Sequence, residues 1–193
     1  MSLKDYKEKR DPASTPEPIG QGPGSRDGLS FVVQKHYASS LHYDFRLELE
    51  GTLKSWAVPK GPSMDPSQKH LAVMVEDHPY DYKDFEGIIP EGNYGAGRVA
   101  IWDVGTYHSR KSESKEKTES LFKKGLRDGH FAFILYGKRL KGEFALIRLK
   151  KDKKNWLLIK KNDELAIKGF DISSFSDSVS KSSKSLKKKS QKQ

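Results

Sequence analysis

Cysteine is absent from the 193-residue chain, which excludes a disulfide scaffold, a thiolate zinc site, an iron–sulfur cluster and a cysteine nucleophile. Any metal must then be held by histidine, carboxylate and water. Also lacking is any apolar run near the roughly 20 residues that span a bilayer, and the first ten residues are charged throughout, with no signal-peptide core. A cytoplasmic protein with no membrane partner is expected. Hydrophobic residues make up only 34% of the chain against 32% charged, which suits one domain with extended loops or a polar end. Lys and Arg outnumber Asp and Glu by 36 to 26, a net charge of +10 that points to an anionic partner. Half of that excess lies in residues 176–193, where six Lys meet one Asp. The globular part is only mildly basic.

The most informative stretch runs from Gln34 to Glu50. Odd positions from Leu41 to Leu49 are Leu, Tyr, Phe, Leu and Leu, while even positions are His42, Asp44, Arg46, Glu48 and Glu50. This is strand alternation, with one packed and one ionisable face. His36 joins that face if residues 37–40 bend back. A solvated amphipathic strand explains the pattern; so does a two-His, one-carboxylate metal site with open positions for a substrate oxygen and Arg46 ready for phosphate.

Residues 1–28, with Arg10, Asp11 and Glu17 among Pro and Gly, read as a flexible arm able to dock beside a cationic or metal-bearing cleft. Glu50-Gly51 predicts a hairpin turn into a strand over 52–58. Lys60 follows on a Pro- and Gly-rich turn, either a surface lysine or a well-held phosphate contact. Residues 70–78 read as a strand apolar at Leu71, Val73 and Val75, bringing Glu76 and His78 to the opposite side as acid and imidazole; Tyr82 lies just beyond. Gly95-Ala96-Gly97 is not a nucleotide-binding loop, since no Lys-Ser/Thr follows and the next segment reads as a strand. Residues 115–124 are the expected helix, of about three turns. Together the segments predict a mainly β fold, a closed or nearly closed antiparallel barrel of about eight strands with one or two short helices, whose closure leaves a polar concavity for a site. The barrel is expected over 29–170 and a disordered Ser/Lys tail over 171–193.

Several uncommon strings resemble one family. Phe31-Val32-Val33-Gln34-Lys35-His36, Leu41-His42-Tyr43-Asp44-Phe45-Arg46-Leu47-Glu48, Ser55-Trp56-Ala57-Val58-Pro59-Lys60-Gly61-Pro62, Val75-Glu76-Asp77-His78-Pro79 and Ile89-Pro90-Glu91-Gly92 resemble the 3′-phosphoesterase domain of bacterial DNA ligase D and its stand-alone archaeal relatives. The resemblance covers roughly residues 10–162, and without polymerase or ligase strings the chain looks like the stand-alone form. It implies a small β-barrel enzyme using a divalent metal, typically manganese, with cobalt or zinc as other candidates. Such an enzyme removes a terminal ribonucleoside from a DNA or RNA–DNA primer-template 3′ end, then hydrolyses the remaining 3′-phosphate to a 3′-OH.

Carried over by position, the metal ligands are His36, His42 and Asp44, and Arg46 and His78 hold the scissile phosphate. Glu76, Tyr82, Lys60, Arg10, Asp11 and Glu17 match further positions tied to activity. His70 is a departure, because many members have Arg there. Implied partners are nucleic-acid 3′ ends and a separately encoded ligase and polymerase, for a monomeric enzyme in non-homologous end joining. The rival readings are a non-catalytic DNA-end-binding module and a two-His, one-carboxylate iron oxygenase.

Overall fold

The computed structural model describes residues 2–176, apart from positions 21, 23, 26 and 27. In chain order its elements are α1 (Leu3–Glu8), β1 (Leu29–Tyr37), β2 (Leu41–Leu49), β3 (Thr52–Val58), β4 (Lys69–Met74), β5 (His78–Pro79), a 3-10 turn (Tyr80–Asp84), β6 (Gly87–Ile89), β7 (Gly97–Ser109), α2 (Lys115–Asp128), β8 (His130–Gly137), β9 (Lys141–Arg148), β10 (Asn155–Lys160) and a second 3-10 turn (Ile172–Ser174). The order β1-β2-β3-β4-β10-β9-β8-β7 closes through a β1–β7 pairing into an eight-stranded antiparallel barrel, as the strand spacing predicts. The short strands β5 and β6 add to β3 and β7 outside the ring. No helix among the described residues is long and apolar enough to cross a membrane.

Alternation sends one parity of each strand inward. Phe31, Val33, Phe45, Leu47, Trp56, Trp102, Phe133, Phe144 and Trp156 form one buried cluster, each side chain contributing about 1.5–3 kcal/mol by leaving water. The two-residue turn at Glu50-Gly51 has positive φ at both positions, 50° and 73°, the primed geometry that matches strand twist. The helix α2 starts on Ser114, whose side chain accepts from the Lys117 N–H, and stops at left-handed Gly129. Its Phe122 is fully buried and stacks on Phe131, with ring centroids 4.5 Å apart.

Three expectations need correction. The lumen is packed, so the polar concavity lies on the outer face of the wall instead. On β4 the inward residue is Ala72, fully buried, whereas Leu71 is 40% exposed. Ala72 sits opposite Trp156, and indoles that fill the lumen leave room there only for a small side chain. The strand also ends at Met74, and after an irregular stretch the chain rejoins the same edge of β3, where His78 pairs with Leu53. Finally, the boundary expected at 171 falls later: Ile172 and Phe175 pack on the core, Phe175 edge-on to Trp102 at 5.8 Å. The Lys-rich residues 177–193 lie outside the described residues.

Candidate active site

The outer faces of β1, β2 and β3 carry the site. Register places His36 opposite His42, Gln34 opposite Asp44 and Arg46 opposite Ser55, and directly opposed residues share a face. The alternation read from sequence is therefore correct, but its polar face is not solvated. Asp44, Arg46 and Glu48 are all buried. Glu48 serves the fold, accepting from the Ser25 and Ser30 N–H groups.

His36, His42 and Asp44 are the one group among the described residues arranged to hold a metal ion, with ligand atoms all within 4.8 Å of one another. Each imidazole has one nitrogen 2.8–2.9 Å from a backbone carbonyl: Nε2 of His36 at Gly95, and Nδ1 of His42 at Ser40. A carbonyl can only accept, so those nitrogens carry the hydrogens. The lone pairs of His36 Nδ1 and His42 Nε2 are left 3.6 Å from the Asp44 oxygens. Backbone groups that fix the tautomers of two convergent histidines are the outer support a metal centre needs.

Arg46 joins this trio to the rest of the cavity. Its Nη2 bonds Asp44 at 2.8 Å, Nη1 bonds Ser55 Oγ at 2.9 Å and Nε bonds Gln34 Oε1 at 2.8 Å, and its Cζ lies 4.8 Å from the Tyr82 ring centroid. Burial alone would raise the Asp44 carboxyl, but the Arg46 guanidinium outweighs it and holds the group well below the usual carboxylate range.

The opposite wall comes from residues 2–18 and from the excursion after β4. Tyr6 on α1 is fully buried, edge-on to His78 at 4.8 Å, and its hydroxyl donates to the Pro18 carbonyl at 2.8 Å. Arg10 enters behind it, bonded to Glu17 at 2.9 Å and Glu76 at 3.2 Å, while Lys9 reaches Glu76 at 3.0 Å. The Tyr82 hydroxyl donates to Glu17 at 3.0 Å; burial pushes it well above its usual range, so it stays protonated. His78 is buried, and burial, then Arg46 and Arg10, push its imidazole well below its ordinary value. Neutral His78 donates from Nδ1 to the Glu76 carbonyl at 2.9 Å, which leaves Nε2 as an acceptor.

These walls enclose about 200 Å³ lined by Arg10, His36, His42, Asp44, Arg46, Glu76, His78 and Tyr82. Three cations, Lys9, Arg10 and Arg46, face three carboxylates, Glu17, Asp44 and Glu76. By itself such a cavity offers a phosphate no net positive charge; a divalent ion on the trio would supply it.

Residues 34–148 match the family model described as the DNA ligase D 3′-phosphoesterase domain. The chain belongs to that family. It is 52% identical over 165 residues to the multifunctional non-homologous end joining protein LigD of Pseudomonas aeruginosa, covering 83% of this chain and 19% of that protein. To the corresponding LigD DNA repair protein of Mycobacterium tuberculosis it is 46% identical over 156 residues, covering 80% and 19%. The chain thus spans about a fifth of the length of these relatives. The matched segment holds the trio, Arg46, His78 and Tyr82 of this ligase D 3′-phosphoesterase member, while Arg10 and Glu17 lie before it.

Not every residue expected at the site is brought to the cavity. Lys60 is exposed on its turn, away from the lining side chains. His70, from β4, holds that turn through Nδ1 and the Gly61 carbonyl at 2.5 Å and is not among the residues lining the cavity. Asp11 is exposed and accepts from the Ala13 N–H, shaping the arm. Glu17 is buried beneath Arg10 and Tyr82 and serves as their support. Conversely, Gln34, Ser55 and Tyr94 were given no role by sequence. Gln34 is fully buried and ties Arg46 to the carbonyls of Tyr82 and Phe85 at 2.9 and 3.0 Å; its signal was its position two residues before His36 on the same face. Ser55 and Tyr94 carried none.

Proposed function

We propose that this chain is a divalent-metal-dependent phosphoesterase of nucleic-acid 3′ ends, acting on DNA or RNA–DNA primer-templates in end-joining repair alongside a ligase and a polymerase. The carrying observation is Arg46. This one guanidinium fixes Asp44 within a three-ligand cluster, and three of its five N–H groups are engaged, leaving two for a phosphate oxygen. The family membership supports the same chemistry.

In the first step, water adds to phosphorus and the bond to the 5′-oxygen of a terminal ribonucleoside breaks, that oxygen taking a proton. In the second, water displaces the 3′-oxygen, giving inorganic phosphate and a 3′-OH. His36, His42 and Asp44 would hold the cation, a donor set suited to manganese, cobalt or zinc, which when bound supplies charge neutralisation and Lewis-acid polarisation. Arg46 orients the phosphoryl group and neutralises its equatorial charge. His78, neutral with Nε2 open, accepts a proton as the anion arrives, since a nearby negative charge favours imidazolium; in that form it donates to the leaving oxygen. Arg10, clamped by Glu17 and Glu76, closes the cavity against bulk water, and Tyr82 braces the Arg46 plane.

The test is a primer-template bearing one 3′ ribonucleotide, incubated with protein and manganese, magnesium, zinc or chelator. The reading expects metal-dependent conversion to a 3′-phosphate and then a 3′-OH. Salt-sensitive binding with unchanged ends would mark a non-catalytic end-binding module and overturn it.

A further inference from the structure

We propose that the Tyr94 ring is the stacking platform for a nucleobase flanking the scissile phosphate. The inference rests on the phosphoesterase reading and adds to it the part of the substrate that lies outside the cavity. A space of about 200 Å³ is below the roughly 300–1,000 Å³ of pockets that engulf a drug-sized ligand. It takes a phosphoryl group and leaves the attached nucleosides at the rim.

Tyr94 is at that rim. It lines the cavity, yet it is 49% exposed, whereas the other two aromatic hydroxyls of the site, Tyr6 and Tyr82, are buried and hydrogen bonded within the protein. Its exposure does not come from a loose loop. On one side Asn93 bonds Ser14 of the arm, through Oδ1 at 2.6 Å and Nδ2 at 3.2 Å. On the other, the Gly95 carbonyl holds His36. Lys9 Nζ lies 4.4 Å from the ring centroid and 3.4 Å from the hydroxyl. An aromatic ring held in place before the ligand arrives loses little freedom on binding, and every base has a π-face, so the contact tolerates any sequence. A platform of that kind suits an end-processing enzyme, which must accept whatever base a 3′ end carries.

The experiment uses the full chain with manganese and four substrates: a primer-template with one 3′ ribonucleotide, the same with the terminal nucleoside abasic, the same with the adjoining primer nucleotide abasic, and a 3′-phosphate end. Tyr94→Leu keeps bulk and removes the π-face; Tyr94→Phe keeps the ring and drops the Lys9 bond. On the intact substrate Tyr94→Leu lowers kcat/KM about five- to a hundredfold, mostly through KM, and Tyr94→Phe stays within about threefold of wild type. The Leu deficit disappears on one abasic substrate, and which one identifies the stacked base. A terminal base predicts no deficit on the 3′-phosphate end, and a primer base predicts the same deficit there. Equal turnover by Tyr94→Leu and wild type, or a deficit that persists on both abasic substrates, overturns the platform. If wild type gives no metal-dependent product from any substrate, the phosphoesterase reading itself has failed.

Discussion

Asp44 and Arg46, two residues apart on the outer face of β2, are joined by a 2.8 Å ion pair with both partners buried. The pair ties the His36, His42 and Asp44 cluster to the rest of the cavity, so a change at Arg46 tests whether its fork geometry or only its charge is needed. Arg46→Lys keeps the charge but cannot bond Asp44, Gln34 and Ser55 together, because an ammonium lacks the planar fork. Its loss of 3′-phosphate release should approach that of Arg46→Ala, at least a hundredfold in kcat/KM. Near-normal release by Arg46→Lys would reduce Arg46 to a point charge.

Gln34 is the second support of the same guanidinium. Gln34→Leu strands the Arg46 Nε–H and the carbonyls of Tyr82 and Phe85, at about 1–3 kcal/mol for each buried group left unpaired. The melting temperature should fall by about 2–4 °C for each kcal/mol lost, with kcat falling alongside as the Tyr82 turn loosens. An unchanged melting curve would mean that this amide does not brace the turn.

The histidine of the far wall gives stability a pH dependence with a definite sign. His78 is kept neutral in the fold, against an ordinary imidazole value of 6.5. Below about pH 6.5 the unfolded chain therefore takes up a proton that the folded chain refuses, and stability falls as the pH drops. Glu76 acts in a lower window. Burial opposes its ionisation, but a backbone N–H, Lys9 and Arg10 outweigh that and lower its carboxyl from 4.5. Its contribution is present above that value and lost as the pH falls through the folded one. With chelator present, His78→Gln should flatten the melting-temperature slope between about pH 7 and 5, and Glu76→Gln the slope below about 4.5. A His78→Gln profile parallel to wild type would contradict the neutral imidazole.

Lys60 and His70 are predicted to act on affinity rather than chemistry, because neither side chain reaches the cavity. Lys60→Ala should weaken nucleic-acid binding and lower the slope of log K against log salt by about 1, with kcat at saturating substrate unchanged. His70→Ala should give a milder form of the same effect by releasing the Gly61 turn. A tenfold loss of kcat in Lys60→Ala would place its ammonium in the reaction.

Much of the architecture was readable because it is local. The Glu50-Gly51 turn, the helix around Leu121-Phe122 and the alternation of β2 are patterns within a few residues. The pairing of His36 with His42 needed only a short hairpin between them. What periodicity cannot tell is which face is core when both are covered. Leu71 was read inward and Ala72 outward because hydrophobicity alone ranks Leu first; the three buried indoles reverse the order. The second wall was harder, since Tyr6, Arg10 and Glu17 arrive from a segment without periodicity, and His78 lies past an irregular stretch that ends β4 at Met74. Asp11, Lys60 and His70 carried the right chemistry, but long-range packing left them outside the cavity. The boundary at 171 was missed for a similar reason: Phe175 sits among serines, and what holds it is Phe170 together with Trp102 and Arg139, both distant in sequence.

The central claim, that His36, His42 and Asp44 hold the ion on which 3′-end hydrolysis depends, is tested most directly by measuring two things on the same samples. Manganese binding is titrated by electron paramagnetic resonance, and 3′-phosphate release from a primer-template is followed, for wild type, His42→Ala and Asp44→Ala. The account predicts one bound ion and turnover in wild type, with both lost in each variant and release down by several orders of magnitude. Near-normal release from either variant with manganese supplied, or an undiminished bound ion, would contradict it.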